Sequence, residues 1–138
     1  MSEQNLELIK AIFDSGPIDT EQILATLDEW VPILYTEDVA FTETPTRIDS
    51  RTLHGHEGVK EAFTRFFEQW DTYSAELIDA EDHGERAFVV VVERATGKGS
   101  GAPVENTNYV VLDFRDGRIC RYKEFYDEAT ARAALGTV

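Results

Sequence analysis

Cysteine is nearly missing from this chain: Cys120 stands alone among 138 residues. No disulfide can close within it, and such usage fits a reducing compartment. Serines are few and no Gly-x-Ser-x-Gly elbow occurs, which excludes serine-hydrolase chemistry of that kind. Cationic side chains are scarce too, 13 against 27 acidic ones, for a formal charge of −14. A surface of that sign repels nucleic-acid phosphates and anionic lipid, so neither is expected as a partner. No apolar run approaches the roughly 18 residues of a membrane span. The opening "MSEQNLELIK" lacks a basic stretch followed by an apolar one, so the expected location is cytoplasmic. Internal repeats, linkers and low-complexity tracts are also lacking, and the length suits a single domain over residues 1–138.

What the chain does have is apolar patterning, with 42% hydrophobic and 11% aromatic residues, well outside disordered compositions. Leu6, Ile9, Ile12 and Phe13 recur at helical spacing until Gly16 and Pro17 stop them. Thr20 is placed to cap a second helix striped by Ile23, Leu24, Leu27, Val31 and Leu34, which Pro32 kinks or splits. "EDVAFTET" alternates as a strand ending before Pro45, and "PTRIDSRTLHG" has loop chemistry. Val59, Ala62, Phe63, Phe66, Phe67 and Trp70 then form the apolar face of an amphipathic helix, where aromatics at this spacing read as core. Strand patterns follow in "SAELIDAED", "RAFVVVVERAT" and the Asp-Gly hairpin within "NTNYVVLDFRDGRICRYKEFYD". A short last helix, "EATARAAL", can be capped by Asp127 or Thr130. This order predicts an α+β fold, a cone-shaped barrel-like layer in which N-terminal and middle helices pack on the concave face of a curved mixed or antiparallel sheet. Incomplete cover leaves an apolar hollow suited to a small molecule.

The glycine-rich "GKGSG" lacks the ending and following helix of a phosphate loop and reads as a hairpin loop. His54 and His56 have no nearby cysteine to complete a metal site, so no metal is expected and His56 is placed outside the pocket. Cys120 has no local histidine partner and reads as a small buried hydrophobe.

Carboxylates on apolar strand faces remain. Alternation in the last strand sets Cys120, Tyr122, Glu124 and Tyr126 on one face and Arg121, Lys123 and Phe125 on the other. The two cations belong in water, which turns Glu124 inward. On the preceding strand Val110, Leu112 and Phe114 continue back through Asn108 and Asn106, and Glu43 shares a face with Val39 and Phe41. A carboxyl walled by aromatics has its pKa raised by desolvation, which suits proton transfer near neutral pH. Glu124 and Glu43 are therefore the candidate acid/base residues. The opposing reading pairs either one with a cation, Arg94 in the case of Glu124, and leaves it a structural role.

The segments "LYTEDVAFTET", "LHGHEGVKEAFTRFFEQW" and "ENTNYVVLDFRDGRICRYKEFYDEATARAALG" resemble the ketosteroid isomerase-like, nuclear-transport-factor-2-like (NTF2-like) superfamily, most closely its SnoaL-like, polyketide-cyclase-like branch. The resemblance implies the cone-shaped fold and homodimers through the sheet, but its members include isomerases, cyclases, dehydratases, epoxide hydrolases and non-catalytic binders. It puts Glu43, or Thr44 after a one-residue shift, at the general-base position of steroid isomerases, and Val110 where their protonated aspartate stands. The C-terminal block also resembles phenazine-biosynthesis proteins of this fold, in which the residue matching Glu124 acts in acid/base chemistry. Ala62 and Phe66 stand where those proteins carry histidine and serine.

The leading expectation is a pocket protein that moves a proton on a small hydrophobic carbonyl or hydroxyl compound without cofactor or metal, by isomerisation, cyclisation or dehydration. Glu124 is the principal acid/base and Glu43 a second carboxylate. Tyr122, Tyr126, Asn106 and Asn108 orient the ligand, and Tyr35, Trp70, Phe41, Val110 and Leu112 line the cavity. The alternatives are a non-catalytic ligand-binding or dimerisation module and a subunit of a larger assembly, with Tyr109, Val111 and Val91 as outer-face contacts.

Overall fold

The computed structural model describes residues 3–43 and 51–136. Its element order is α1 (Glu3–Phe13), β1 (Ser15–Asp19), α2 (Thr20–Ala25), α3 (Leu27–Leu34), β2 (Tyr35–Thr42), β3 (Thr52–His54), α4 (Gly55–Phe67), β4 (Trp70–His83), β5 (Arg86–Gly97), β6 (Pro103–Arg115), β7 (Arg118–Phe125) and α5 (Glu128–Leu135). The strands form one seven-stranded sheet in the order β1-β4-β5-β6-β7-β2-β3. Pairing is antiparallel except between β2 and β7, which makes the sheet mixed, and the two ends do not join. This is the α+β architecture that the segment order predicts.

Local chemistry explains most boundaries. Asp116 and Gly117 take positive φ values of 53° and 78°, as the tight turn between β6 and β7 requires. Pro17 lies in edge strand β1, where its missing N–H is tolerated. Asp127 caps α5, its carboxylate accepting from the Ala129 amide at 3.0 Å.

Several boundaries differ from the sequence reading. Asp19, not Thr20, caps α2, accepting from the Glu21 amide at 2.9 Å, while the Thr20 hydroxyl is buried and donates to the Trp70 carbonyl. Pro32 stays inside α3, and the helical region breaks earlier, at Thr26. The stretch around Gly16 and Pro17 is a short strand, and Thr52–His54 is another within the expected loop. Trp70 opens β4 instead of closing the middle helix. For these three strand segments a pairing partner outside the segment decides the state that local patterning left open. Thr44, Pro45 and most of the expected loop lie outside the described residues.

The main core fills one face of the sheet, where Val89, Val110, Leu112 and Ile119 meet Ile9 and Phe13 of α1, Val31 of α3 and Val59 of α4. Burying these side chains contributes roughly 1.5–3 kcal/mol each. The opposite face carries a smaller cluster in which Phe88, Val111 and Phe125 are covered by Ala131 of α5. Arg132 fixes this helix, with its guanidinium 4.4 Å over the Phe88 ring and 2.7 Å from Glu81.

Three face assignments are thereby corrected. Phe125, placed in water with Arg121 and Lys123, is buried beneath α5. Val91 faces the main core rather than the outside, and Val111 is covered, so of the three expected outer contacts only Tyr109 is left partly exposed. Cys120 does not share the face of Tyr122. The register steps from Phe114–Ile119 to Asp113–Arg121, which leaves Cys120 as the extra residue of a bulge, half-buried, with its thiol 3.4 Å from the Asp113 carbonyl.

Candidate functional site

Between the sheet and helices α1 to α4 lies a cavity of about 800 Å³. Its sheet wall follows from register. Glu93 of β5 faces Asn106 of β6, Val91 faces Asn108, and Val110 of β6 faces Glu124 of β7. Asn108 is therefore the diagonal neighbour of both carboxylates, close enough in a sheet for side chains to meet. Tyr73, on β4, lies diagonal to Glu93 from the other side, since Ala75 is the residue opposite Glu93.

These groups form two linked sets. The Tyr73 hydroxyl donates to one Glu93 oxygen, and the Asn108 amide donates to the other. Asn106 donates to the Asn108 carbonyl oxygen at 2.9 Å, which orients that amide toward Glu93. The Tyr122 hydroxyl donates to Glu124 at 2.7 Å. Tyr122 is itself stacked on Phe41, with ring centroids 4.1 Å apart and planes within 7°, so its hydroxyl is held in position.

Burial in this apolar cavity and, after it, the charge of Glu124 raise the Glu93 pKa from an ordinary 4.5 to about 7, against the opposing effect of the donors Tyr73 and Asn108. Burial, then the carboxylates beside them, also push the Tyr73 and Tyr122 phenols well above their usual range. Both tyrosines therefore keep their protons and act as donors. The negative charges of Glu93 and Glu124 oppose one another on this wall, so ionisation of Glu124 favours the proton on Glu93.

The expected site residues fall into three groups. Glu124, Tyr122, Asn106, Asn108, Tyr126, Trp70 and Phe41 line the cavity, Tyr126 at an exposed rim. Glu43 also reaches the wall and is only 4% exposed, but Arg65 of α4 lies 3.1 Å from its carboxylate and Arg51 3.9 Å. Tyr35, Val110 and Leu112, predicted to line the cavity, are instead fully buried in the core behind it. Arg94, the cation proposed to neutralise Glu124, points to the opposite face and pairs with Glu76 and Glu105 at 3.0 and 2.9 Å. His56 is outside the cavity, its Nε2 2.9 Å from the Tyr35 carbonyl oxygen.

Glu93 and Tyr73 are the site residues that sequence reasoning missed. Glu93 is in phase with Val89 and Val91, and this was the available signal. Both faces of β5 are apolar, however, so alternation alone does not say which one faces the helices. Phe63, Phe66 and Phe67, read as plain core, also line the cavity.

No curated protein matches the chain. A protein from Jannaschia sp. CCS1, a candidate SnoaL-like polyketide cyclase, superposes with a TM-score of 0.70 at 17% identity, covering 100% of this chain and 97% of the other. A ketosteroid isomerase-like protein from Catenulispora acidiphila, solved in complex with trimethylamine, gives 0.67 at 14% identity over 100% and 96%. An LEH-like epoxide hydrolase from M. tuberculosis gives 0.61 at 12% identity over 96% and 86%. At such identities the likeness establishes the fold alone. The SnoaL-like domain matches residues 25–122, most of the chain, and the protein belongs to that family within the NTF2-like fold.

Proposed function

We propose that this protein is a cofactor-independent acid/base enzyme acting on a small hydrophobic molecule that bears a carbonyl or hydroxyl group. The observation supporting this reading is the pair of carboxyl groups, Glu93 and Glu124, in one apolar cavity, with neutral hydrogen-bond donors on each. Glu124, as the ionised member, takes a proton from the carbon beside the substrate carbonyl. The electron pair moves onto the carbonyl oxygen, which protonated Glu93 or the Tyr73 hydroxyl meets with a hydrogen bond or a proton. Returning the proton to another carbon gives isomerisation. Attack of the enolate carbon on a second carbonyl gives cyclisation, and expulsion of a β-hydroxyl gives dehydration. Glu43, between Arg65 and Arg51, is assigned to the wall rather than to proton transfer.

The test needs no knowledge of the natural substrate. A panel of small ketones is incubated with the protein in D2O, and loss of α-proton signals is followed by NMR. Exchange above the buffer rate is expected, falling by roughly 100-fold in Glu124→Gln and in Glu93→Gln. Wild-type exchange that survives both substitutions would sink the assignment.

One observation favours the second reading, a non-catalytic binding module: Tyr73, Asn108 and Tyr122 already occupy carboxylate oxygens, as they would in a purely structural network. Ligand binding without any exchange would select it. A homodimer through the outer sheet face, near Tyr109, belongs to either reading and is tested by sedimentation.

A further inference from the structure

The described residues around the cavity include three carboxylates, Glu43, Glu93 and Glu124, and no lysine, arginine or histidine. Arg65 lies 3.1 Å from Glu43, and Arg51 lies 3.9 Å from Glu43 and 2.6 Å from Glu61. Among the described residues, Glu93 meets the neutral donors Tyr73 and Asn108 and the like charge of Glu124. Negative charge held in an apolar hollow is costly unless a cation compensates it. Tyr73, which bonds Glu93, belongs to a group of rings set at steep angles to one another. Phe66 lies edge-on to Trp70 at 6.2 Å and to Tyr73 at 5.8 Å, with interplanar angles of 62° and 87°, and all three line the cavity. Differently oriented aromatic walls beside a carboxylate are the surroundings in which organic cations bind, through ring quadrupoles and a short-range charge pair.

We propose that the cavity selects an organic cation, a protonated or quaternary amine, and that the substrate of the proton transfer described above is an amine-bearing carbonyl compound. The proposal rests on that acid/base reading for its chemistry but not for its binding preference. The amine sits against Glu93 and the Phe66–Trp70–Tyr73 wall, and its charge compensates that of Glu93. With the amine in place, both carboxylates can stay ionised, which keeps Glu124 competent as base and leaves the Tyr73 hydroxyl as the donor to the carbonyl oxygen.

An isosteric pair separates the two claims: 1,1-dimethyl-4-oxopiperidinium, a permanent cation, and 4,4-dimethylcyclohexanone, its neutral carbon analogue. Affinity is measured by calorimetry, and α-proton exchange in D2O is followed relative to the buffer rate. The cation is expected to bind roughly tenfold tighter or better. That preference should collapse in Glu93→Gln and persist in Glu105→Gln, which removes the same formal charge from the exposed opposite face. Thermal melts of each variant confirm folding. Equal affinity for the two ketones overturns the cation proposal, as does a preference that Glu105→Gln removes as fully as Glu93→Gln. Exchange of the neutral ketone with no cation preference would leave the acid/base reading standing alone, whereas selective cation binding without exchange would support the proposed ligand class and defeat catalysis.

Discussion

Glu93 faces Asn106 directly across the β5–β6 ladder, yet takes its amide hydrogen bond from Asn108, whose carbonyl oxygen Asn106 in turn holds. The residue opposite Glu93 thus acts on it through its neighbour, and the Glu93 proton affinity depends on an amide orientation set two residues away.

Asn108→Ala removes a donor that lowers the Glu93 pKa. Hydrogen bonds to charged groups contribute roughly 1.5–3 kcal/mol, so the Glu93 midpoint should rise by about one unit or more above its value of about 7. Carboxyl carbon NMR, with Glu93→Gln assigning the signal, reads it directly. An unmoved midpoint would mean that the amide does not tune Glu93.

The same group makes stability depend on pH in a predictable direction. Below about 4.5 the Glu93 carboxyl is protonated in both the folded and unfolded chains, and well above about 7 it is ionised in both. Between these values the folded state holds more protons, so this residue's contribution to stability falls as pH rises through the window. Glu93→Gln should flatten that fall. Urea midpoints for both proteins between pH 4 and pH 8, on the order of one every half unit, give the difference. Parallel curves would contradict the raised proton affinity.

Arg65 and Glu43 form a pair in which the carboxylate is far more buried than the cation, 4% against 24% exposed. Arg65→Gln should destabilise the fold by about 3 kcal/mol, because Glu43 then loses its nearest cation, at 3.1 Å. The double variant with Glu43→Gln should recover much of the loss. Additive costs in the double-mutant cycle would show that the pair is not coupled. Neither change should move the Glu93 midpoint if Glu43 belongs to the wall.

Gly117 has a φ of 78° in the β6–β7 turn, a conformation that a Cβ disfavours. Gly117→Ala should cost about 1 kcal/mol by strain alone while leaving ketone exchange unchanged. A larger loss together with altered exchange would indicate a register change in β7, which would move Glu124 and Tyr122.

The sequence by itself determined the classes of the strongly patterned elements, the Asp-Gly turn, the absence of an internal disulfide and the inward face of Glu124. Each rests on local chemistry or on a strand with one charged face: in β7 the cations Arg121 and Lys123 mark the other side. Even there the mark was incomplete, because Phe125 on that side is buried by α5, a contact no local pattern encodes. Tertiary structure alone decided the rest. In β5, apolar on both faces, only packing against the helices turned Val91 and Glu93 inward. Only pairing made strands of Ser15–Asp19 and Thr52–His54. Only the approach of α4 gave Glu43 its arginine, and only the β4–β5–β6–β7 registers brought Tyr73, Glu93, Asn108 and Glu124 to one wall. Alternation specifies which residues share a face, but the element covering that face, and hence the dielectric around a carboxylate, is a property of the assembled layers.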